Sequence, residues 1–143
     1  MAAGKGTRFG SMTETKPKGF IEFKGIPMIE RSVENLISAG IKRIIIGTGY
    51  HHEWYESLAD KYPQIQTVFS PRFAETNSME TLSRCKDAIG EDDFLLLESD
   101  IVYEKKAITS LLGDSHSDIM LVTPVTKFQD QYYIGCDDDG FLV

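Results

Sequence analysis

Residues 2–8, with the sequence AAGKGTR, combine small residues with two cations and a hydroxyl group. Small residues let a backbone approach a ligand closely, and successive amide N–H groups can then point at phosphate oxygens. Lys5, Thr7 and Arg8 add positive charge and a hydroxyl at the same place. The dinucleotide pattern G-x-G-x-x-G would need glycine where Phe9 stands, and the pattern G-x-x-x-x-G-K-[ST] has no match in the chain. The segment therefore predicts either another kind of phosphate-binding loop or a flexible polar terminus.

Two further charged residues have the chemistry to act on a phosphate. Lys18 lies in the segment TKPKGFI, and Asp100 follows closely on the apolar run FLLL at residues 94–97. Open α/β sheets bind ligands at the carboxyl ends of their strands, and a carboxylate there suits Mg²⁺. The alternatives are solvated surface positions for Arg8 and Lys18 and a turn-capping role for Asp100. The two residues and the loop together predict a site for a phosphate and a divalent cation.

Apolar runs alternate with amphipathic stretches along the chain, which is typical of βαβ units and a largely parallel sheet. Pro27 and Gly40 mark the start and the end of the first helix. Thr76 or Asn77 caps a later helix, with Glu80 as its capping-box partner. The pattern predicts an α/β fold with three layers, in which a mixed, mostly parallel Rossmann-like sheet carries helices on both faces. The other predicted elements are strands at 41–46, 65–69, 93–98 and 119–125, helices at 53–60 and 104–112, and a hairpin at 131–143.

The composition is that of a single globular domain over residues 1–143, with 41% hydrophobic and 26% charged residues. The net charge of −7 repels polyanions, so nucleic acid is not expected as a partner. No apolar stretch approaches the ~20 residues of a membrane helix, so no membrane association is expected. Cys85 and Cys136 are too few for a disulfide framework, and we expect both to be reduced in a cytoplasmic protein.

Both ends of the chain are predicted to be incomplete. Met1 leads directly into the glycine-rich loop, although such loops normally leave the end of a strand. Residues 141–143 end the chain in the middle of a predicted strand. We therefore expect an N-terminal fragment that lacks its first strand and its C-terminal part. Open sheet edges tend to recruit another chain, which predicts a homodimer.

The motifs follow one another in an order that resembles a known superfamily. After AAGxGTR come P-K-x-x-[IL] at residues 17–21, G-x-P-[ML]-I at residues 25–29, and a buried strand that leads to Asp100. This order resembles the NTP-transferase superfamily of sugar-phosphate and amino-alcohol-phosphate nucleotidyltransferases, whose fold is Rossmann-like and GT-A-like. Within it, the cytidylyltransferases that act on phosphocholine or 2-aminoethylphosphonate are the most similar, through residues 48–50, 52–53, 77–78 and 127–133.

The resemblance implies a Mg²⁺-dependent enzyme that transfers CMP from CTP to a small phosphorylated or phosphonate acceptor and releases pyrophosphate. Lys18 and Arg8 would be catalytic cations on the α-phosphate and the leaving pyrophosphate. Asp100 would bind the metal ion, with a second acidic ligand beyond the end of this chain. Tyr132 would hold the acceptor's ammonium group by a cation–π contact of about 0.5–2 kcal/mol, unless it packs in a sheet. The implied nucleotide-binding residues are Ala2, Ala3, Gly4, Gly6, Thr7, Arg8, Asn77 and Ser78.

Several alternatives remain open at the level of sequence. Asn77 and Ser78 could cap a helix or bind the nucleotide, because capping and binding can use the same atoms. A sugar-1-phosphate nucleotidyltransferase using UTP, dTTP or GTP is the second enzymatic interpretation. A non-catalytic nucleotide-binding or assembly module is the interpretation outside enzymes. The run His51-His52-Glu53 lacks a metal-binding spacing such as HExxH, so we expect His52 to order the loop after Tyr50.

Overall fold

The structure, a computed structural model, describes residues 1–124 and 133–142. The chain divides into two compact units, residues 1–113 and residues 114–143. No helix in the described ranges combines the length and the apolar character needed to cross a membrane. The elements are β1 (Glu22–Phe23), β2 (Ile26–Pro27), α1 (Met28–Ser38), β3 (Ile44–Thr48), α2 (His52–Lys61), β4 (Ile65–Phe69), α3 (Ser78–Ile89) and α4 (Lys105–Leu112), with two 3₁₀ segments at Thr7–Thr13 and Lys18–Phe20.

A parallel sheet forms the centre of the first unit, and the N-terminal residues extend this sheet on one side. β3 and β4 pair in parallel along their whole length. On the other side of β3, Ala2 N–H donates to Gly47 O over 2.8 Å within a parallel bridge. Met1 in turn donates to Leu97 O and accepts from Ser99 N–H over 3.0 Å. The order across the sheet is therefore β4, β3, the N-terminal residues and the segment around Leu97. Numbered along the chain this is 3-2-1-4, the order of the first four strands of a doubly wound fold.

Helices cover both faces of this sheet. Ile46 belongs to a buried cluster that it shares with Val33 of α1 and Leu58 of α2. Successive residues of a strand point to opposite faces, and Gly47 accordingly faces α3. A Cβ on Gly47 would lie 2.7 Å from Cγ2 of Thr81, so α3 packs closely only because this residue is glycine. The predicted α/β fold, a largely parallel sheet with helices on both faces, is confirmed.

Local signals in the sequence located the helix ends well. α1 begins after Pro27, and the chain leaves it through Gly40, whose φ of 92° suits glycine. Asn77 is the N-cap of α3, as predicted. The helices predicted at 53–60 and 104–112 correspond to α2 and α4 within one residue at each end. β4 has the predicted bounds.

One predicted strand is displaced along the chain. β3 begins at Ile44 instead of Ile41, because Ile41 N–H donates to Leu36 O over 3.1 Å and so completes the end of α1. β3 then continues through Gly47 and Thr48, beyond the predicted end at Ile46.

Two other predicted strands are wrong over the residues described. In the stretch predicted as a strand at 93–98, Phe94 and Leu96 are each 56% exposed and only the end of the stretch bonds to Met1. A strand needs the backbone of a neighbouring strand to bond to. Here a cavity of about 380 Å³ is lined by β3 on one side and by residues 94–98 on the other. Residues 94–96 therefore have no ladder partner in the described part of the sheet. Residues 119–124 form no strand either, and Met120 is 61% exposed.

The described part of the second unit contains a turn closed by one antiparallel bridge. Cys136 faces Leu142, and Gly140 N–H donates to Asp137 O over 3.1 Å. This agrees with the predicted hairpin over the residues that are described. Tyr132, the predicted acceptor-binding residue, lies outside the described residues, and its role stays a prediction.

Candidate active site

An ion pair joins the two residues that the sequence indicated for phosphate and metal chemistry. Lys18 Nζ lies 2.9 Å from Asp100 Oδ2, and the two side chains are only 17% and 24% exposed. Lys18 begins a 3₁₀ turn directly after the fully buried Pro17. Asp100 follows Ser99, whose N–H is bonded to Met1 O. The fold therefore brings Lys18 and Asp100 together at the carboxyl edge of the parallel sheet.

The glycine-rich loop lies directly against Lys18. A Cβ on Gly6 would sit 3.1 Å from Lys18 Cβ, and Gly6 has a φ of 66°, which side chains rarely adopt. Thr13 Oγ1 donates to Gly6 O over 3.1 Å, and Ala3 O accepts a backbone hydrogen bond of 3.0 Å. The loop is therefore held at both ends. Between them, nothing lies within 4 Å of a Cβ placed on Gly4.

Two cations of the loop remain available to an anion. Lys5 and Arg8 are exposed, and within the described residues neither side chain makes an ion pair. Thr7, at the start of the 3₁₀ segment, is exposed as well. The structure places these side chains on the loop that lies against Lys18. The roles predicted for Thr7 and Arg8 stay predictions.

Asn77 and Ser78 form the start of α3. Asn77 Oδ1 accepts from Met79 N–H over 3.0 Å and from Glu80 N–H over 3.4 Å, so the capping alternative is confirmed. Both Asn77 and Ser78 are exposed. The amide nitrogen of Asn77 is not used in the cap, so capping leaves it able to donate to a ligand. Binding of the nucleotide by this pair stays a prediction.

The loop after β3 is ordered by His51, whereas His52 was expected to do this. His51 adopts a left-handed backbone with a φ of 51°, and its Nε2 lies 3.2 Å from Glu14 O. The ring of Tyr50 lies against that of His51 at a centroid distance of 4.2 Å and an interplanar angle of 58°, and its hydroxyl donates to the same Glu14 carbonyl. His52 instead pairs with Glu56 on the surface of α2. The left-handed backbone of His51 is a local conformation that the sequence alone could not reveal.

Tyr55 and Gly19 belong to the site, and the sequence analysis missed both. Tyr55 is fully buried, and its hydroxyl would lie 3.0 Å from a Cβ on Gly19, the residue after Lys18. The same Cβ would lie 3.2 Å from the carbonyl oxygen of Ser99, the residue before Asp100. Burial raises the pKa of Tyr55 to about 12, so its hydroxyl is neutral at physiological pH. No local signal marks Tyr55, because only the packing of α2 against the site gives it this position.

Asp100 supplies a carboxylate of the kind that a divalent cation requires. No cluster of three or more His, Cys, Asp or Glu side chains that could hold a metal occurs among the residues the structure describes. Mg²⁺ is commonly held by one or two carboxylates, with phosphate oxygens and waters completing its coordination. Asp100 is partly exposed beside a loop suited to phosphate, so its chemistry and position fit such a site.

The sheet order and the ion pair beside a glycine-rich loop define the class of the protein, an α/β domain of the doubly wound type with a candidate phosphate site. Within that class, residues 1–136 match the MobA-like NTP transferase domain, and the chain belongs to this family.

Three comparisons describe what the chain is similar to. It is 33% identical over 108 residues to the 2-aminoethylphosphonate cytidylyltransferase of Lancefieldella rimae, covering 76% of this chain and 44% of that protein. It is 32% identical over 117 residues to the choline-phosphate cytidylyltransferase of Haemophilus influenzae, covering 82% and 48%. Among solved structures, the CTP:phosphocholine cytidylyltransferase of Streptococcus pneumoniae matches with a TM-score of 0.58 and 36% identity, over 62% of this chain and 38% of that one. The chain thus spans about half the length of these curated relatives.

Proposed function

We propose that the protein is a cytidylyltransferase, which transfers CMP from CTP to phosphocholine or 2-aminoethylphosphonate and releases pyrophosphate. The observation that carries the proposal is the partly buried Lys18–Asp100 pair beneath the glycine-rich loop. A cation for the phosphates and a carboxylate for a metal ion then lie at one point of the sheet edge. The names of the similar proteins support CTP as the nucleotide and an amino-alcohol phosphate or phosphonate as the acceptor.

The proposed transfer is a direct in-line displacement. The acceptor's oxygen forms a bond to the α-phosphorus of CTP while the bond from that phosphorus to the pyrophosphate oxygen breaks. The acceptor is already an anion at neutral pH, so the reaction needs no general base. Its requirements are positioning and positive charge around the phosphates. Lys18 supplies charge at the α-phosphate and the incoming acceptor, and Arg8 supplies it at the leaving pyrophosphate.

A magnesium ion is part of the proposal, and Asp100 is the described residue that would hold it. When bound, Mg²⁺ neutralises phosphate charge and orients the phosphate oxygens. Lys18 would then exchange its contact with Asp100 for a phosphate oxygen. Ala2, Ala3 and the glycine residues of the loop would offer backbone groups to the nucleotide, and Asn77 with Ser78 would contact its base or ribose. A reaction that consumes nucleoside triphosphates fits the cytoplasmic location expected from the sequence.

Calorimetric titration with CTP, UTP, GTP and ATP, each with Mg²⁺, tests the nucleotide site. We expect selective binding of CTP and a loss of about tenfold or more in affinity for Lys18→Ala, since one charge-assisted contact to a phosphate is removed. Lys16→Ala is the matched control, because Lys16 lies two residues away and makes no ion pair within the described residues.

The outcomes of this titration separate the alternatives. Selective binding of UTP or GTP would refute the choice of CTP and favour a sugar-1-phosphate nucleotidyltransferase. Equal losses in the Lys16 and Lys18 variants would show that binding depends on general charge, and the assigned site would then be wrong.

A further inference from the structure

Tyr55 occupies a position between the two segments that carry the site's charges. It is fully buried in α2, and its ring makes an edge contact with Phe20 at a centroid distance of 5.2 Å. Its hydroxyl lies against Gly19, where an added Cβ would be only 3.0 Å away. Gly19 and Phe20 belong to the same turn as Lys18. Tyr55 therefore touches that turn with both its ring and its hydroxyl.

The same hydroxyl also reaches the segment that leads to Asp100. Gly19 N–H and the Ser99 hydroxyl both lie beside Tyr55 Oη. Ser99 is 4% exposed, and its backbone N–H donates to the carbonyl oxygen of Met1. Gly19 and Ser99 are the immediate neighbours of the two charged residues. A single buried hydroxyl is thus placed where it can set the spacing between the two segments.

The hydroxyl groups of Tyr55 and Ser99 are buried without a hydrogen bond of ordinary geometry in the described part of the chain. Buried polar groups are nearly always satisfied, and an exception calls for an explanation. Catalytic contacts are often long in a resting structure and tighten when the reaction complex forms. The two hydroxyls have the position and the spare bonding capacity for such a change.

We propose that Tyr55 is a positioning residue for the transfer, whose hydroxyl holds the turn carrying Lys18 at a fixed distance from the segment carrying Asp100. It acts through Gly19 and Ser99 and touches neither nucleotide nor acceptor. This inference rests on the proposed function, because the step that depends on this spacing is CMP transfer. Small displacements of catalytic groups lower turnover strongly even when binding is retained.

Tyr55→Phe tests the proposal, since it removes the hydroxyl and keeps the ring and its contact with Phe20. We expect kcat for pyrophosphate release to fall about tenfold while KM for CTP changes less than about twofold. The matched control is Tyr62→Phe. Tyr62 directly follows the end of α2, and this variant removes the hydroxyl that donates to Glu30. That control lowers stability and leaves kcat unchanged. An unchanged kcat in Tyr55→Phe would overturn the proposal.

A double-mutant comparison tests whether Tyr55 acts through Lys18. In a Lys18→Ala background there is no ammonium group to position, so adding Tyr55→Phe should change kcat by less than about twofold. If the two losses multiply instead, Tyr55 acts independently of Lys18 and the proposal is wrong. A general loss of stability would lower the activity in both backgrounds alike, so this readout separates positioning from a structural role.

Exchange of the Lys18 ammonium protons with water, measured by NMR, tests the same point without turnover. We expect faster exchange in Tyr55→Phe, because the contact with Asp100 is loosened, and an unchanged rate in Tyr62→Phe. Unchanged exchange in Tyr55→Phe would overturn the inference even for an active enzyme. A parent protein without any pyrophosphate release would refute the proposed function, and the exchange experiment would still decide about Tyr55.

Discussion

At the scale of single residues, the site depends on two opposite charges, Lys18 and Asp100, which form an ion pair with each other. Lys18 and Asp100 are distant in the chain, and each lies in a motif that indicates phosphate or metal chemistry. Their ion pair neutralises two partly buried charges, which would otherwise be costly to hold in this position. The same two groups can be redistributed when a nucleotide and a metal ion bring charges of their own.

The sequence indicated the two residues of the ion pair, Lys18 and Asp100, better than their surroundings. Lys18, Asp100 and the glycine residues of the loop carry local motifs, so their types and spacing indicated a phosphate site. Tyr55 carries no such motif, because its role arises from the packing of a helix distant from both charges. The role of His51 escaped prediction for a similar reason, since neither its left-handed backbone nor its contact with Glu14 O carries a sequence motif.

Gly49 is the residue at which added bulk should do most damage. A Cβ there would lie 2.6 Å from Phe73 and 2.7 Å from the carbonyl oxygen of Ala3, both too close for any side chain. We expect Gly49→Ala to lower the free energy of unfolding by about 1–3 kcal/mol, as overpacked sites do. Chemical denaturation measures this change, and CTP affinity should fall with it because Ala3 begins the loop.

Gly4→Ala is the contrasting variant within the same loop. Nothing lies within 4 Å of its added Cβ, so stability should stay within about 0.5 kcal/mol of the parent. CTP should nevertheless bind more weakly, because the proposed nucleotide approaches the backbone at this position. A Gly4 variant that binds CTP as the parent does would remove the loop from the nucleotide site.

At the scale of elements, the helices were predicted more accurately than the strands. Helix ends depend on nearby residues such as Pro27, Gly40 and Asn77, which the sequence displays directly. A strand depends on the backbone of a neighbour, which the sequence does not display. The apolar run at residues 94–97 was therefore interpreted as a strand, whereas its first residues border a cavity in place of a paired strand.

Asn77 allows the capping role of α3 to be separated from nucleotide binding. Asn77→Ala removes the cap and should cost about 1 kcal/mol of stability. Asn77→Ser keeps an oxygen that accepts from the first turn but lacks the amide nitrogen. If that nitrogen binds the base or ribose, the Ser variant will have the parent's melting temperature and a lower CTP affinity. Parental affinity in the Ser variant would assign Asn77 to capping alone.

Glu30 of α1 accepts hydrogen bonds from residues at the end of α2, and the stability that this contact provides depends on pH. Hydrogen bonds from Lys61 and from Tyr62, the latter 2.9 Å long, lower the pKa of Glu30 below its ordinary value of 4.5. A lowered pKa in the folded state stabilises the fold above the unfolded-state pKa and ceases to do so as pH falls through the lowered value. We therefore expect Glu30→Gln to reduce the unfolding midpoint at pH 7 and to have little effect at the acid end.

Thermal unfolding of Glu30→Gln measured across this pH range checks the expectation. Glu22→Gln is the control, because Glu22 is exposed on β1 and makes no ion pair among the described residues. If the difference in unfolding midpoint between Glu30→Gln and the parent stays unchanged at pH values below the lowered pKa of Glu30, the ionised Glu30 carboxylate is not its cause.

At the scale of the whole molecule, the doubly wound order of the sheet gathers the site at one edge. The N-terminal residues lie between β3 and the segment that leads to Asp100, so the glycine-rich loop emerges beside that carboxylate. The net charge of −7 disfavours the binding of anions in general. The two cations of the glycine-rich loop offset this charge locally, at the edge of the sheet where the loop lies. Fold class and family were predictable because many weak motifs agree in order along the chain.

We also propose that the protein forms a homodimer through the free edge of β4. In the described part of the sheet β4 pairs only with β3. Gln64 O and Ser70 N–H both bond to β3, and alternate residues of a parallel strand bond to alternate sides. The even-numbered residues of this stretch therefore face β3, and Thr67 N–H points away from it.

Thr67→Pro should block edge pairing while leaving the β3 ladder intact. Light scattering should give twice the chain mass for the parent and the chain mass for this variant, and a monomeric parent would refute the dimer.

The proposed CMP transfer can be followed by ³¹P NMR of the protein with CTP, Mg²⁺ and phosphocholine or 2-aminoethylphosphonate. We expect loss of the CTP resonances and equal amounts of pyrophosphate and a new conjugate of CMP with the acceptor. We also expect the conjugate to form at a strongly reduced but measurable rate with Lys18→Ala and at about the parent rate with Lys16→Ala. Unchanged CTP with both acceptors, or pyrophosphate released without any conjugate, would contradict the claim.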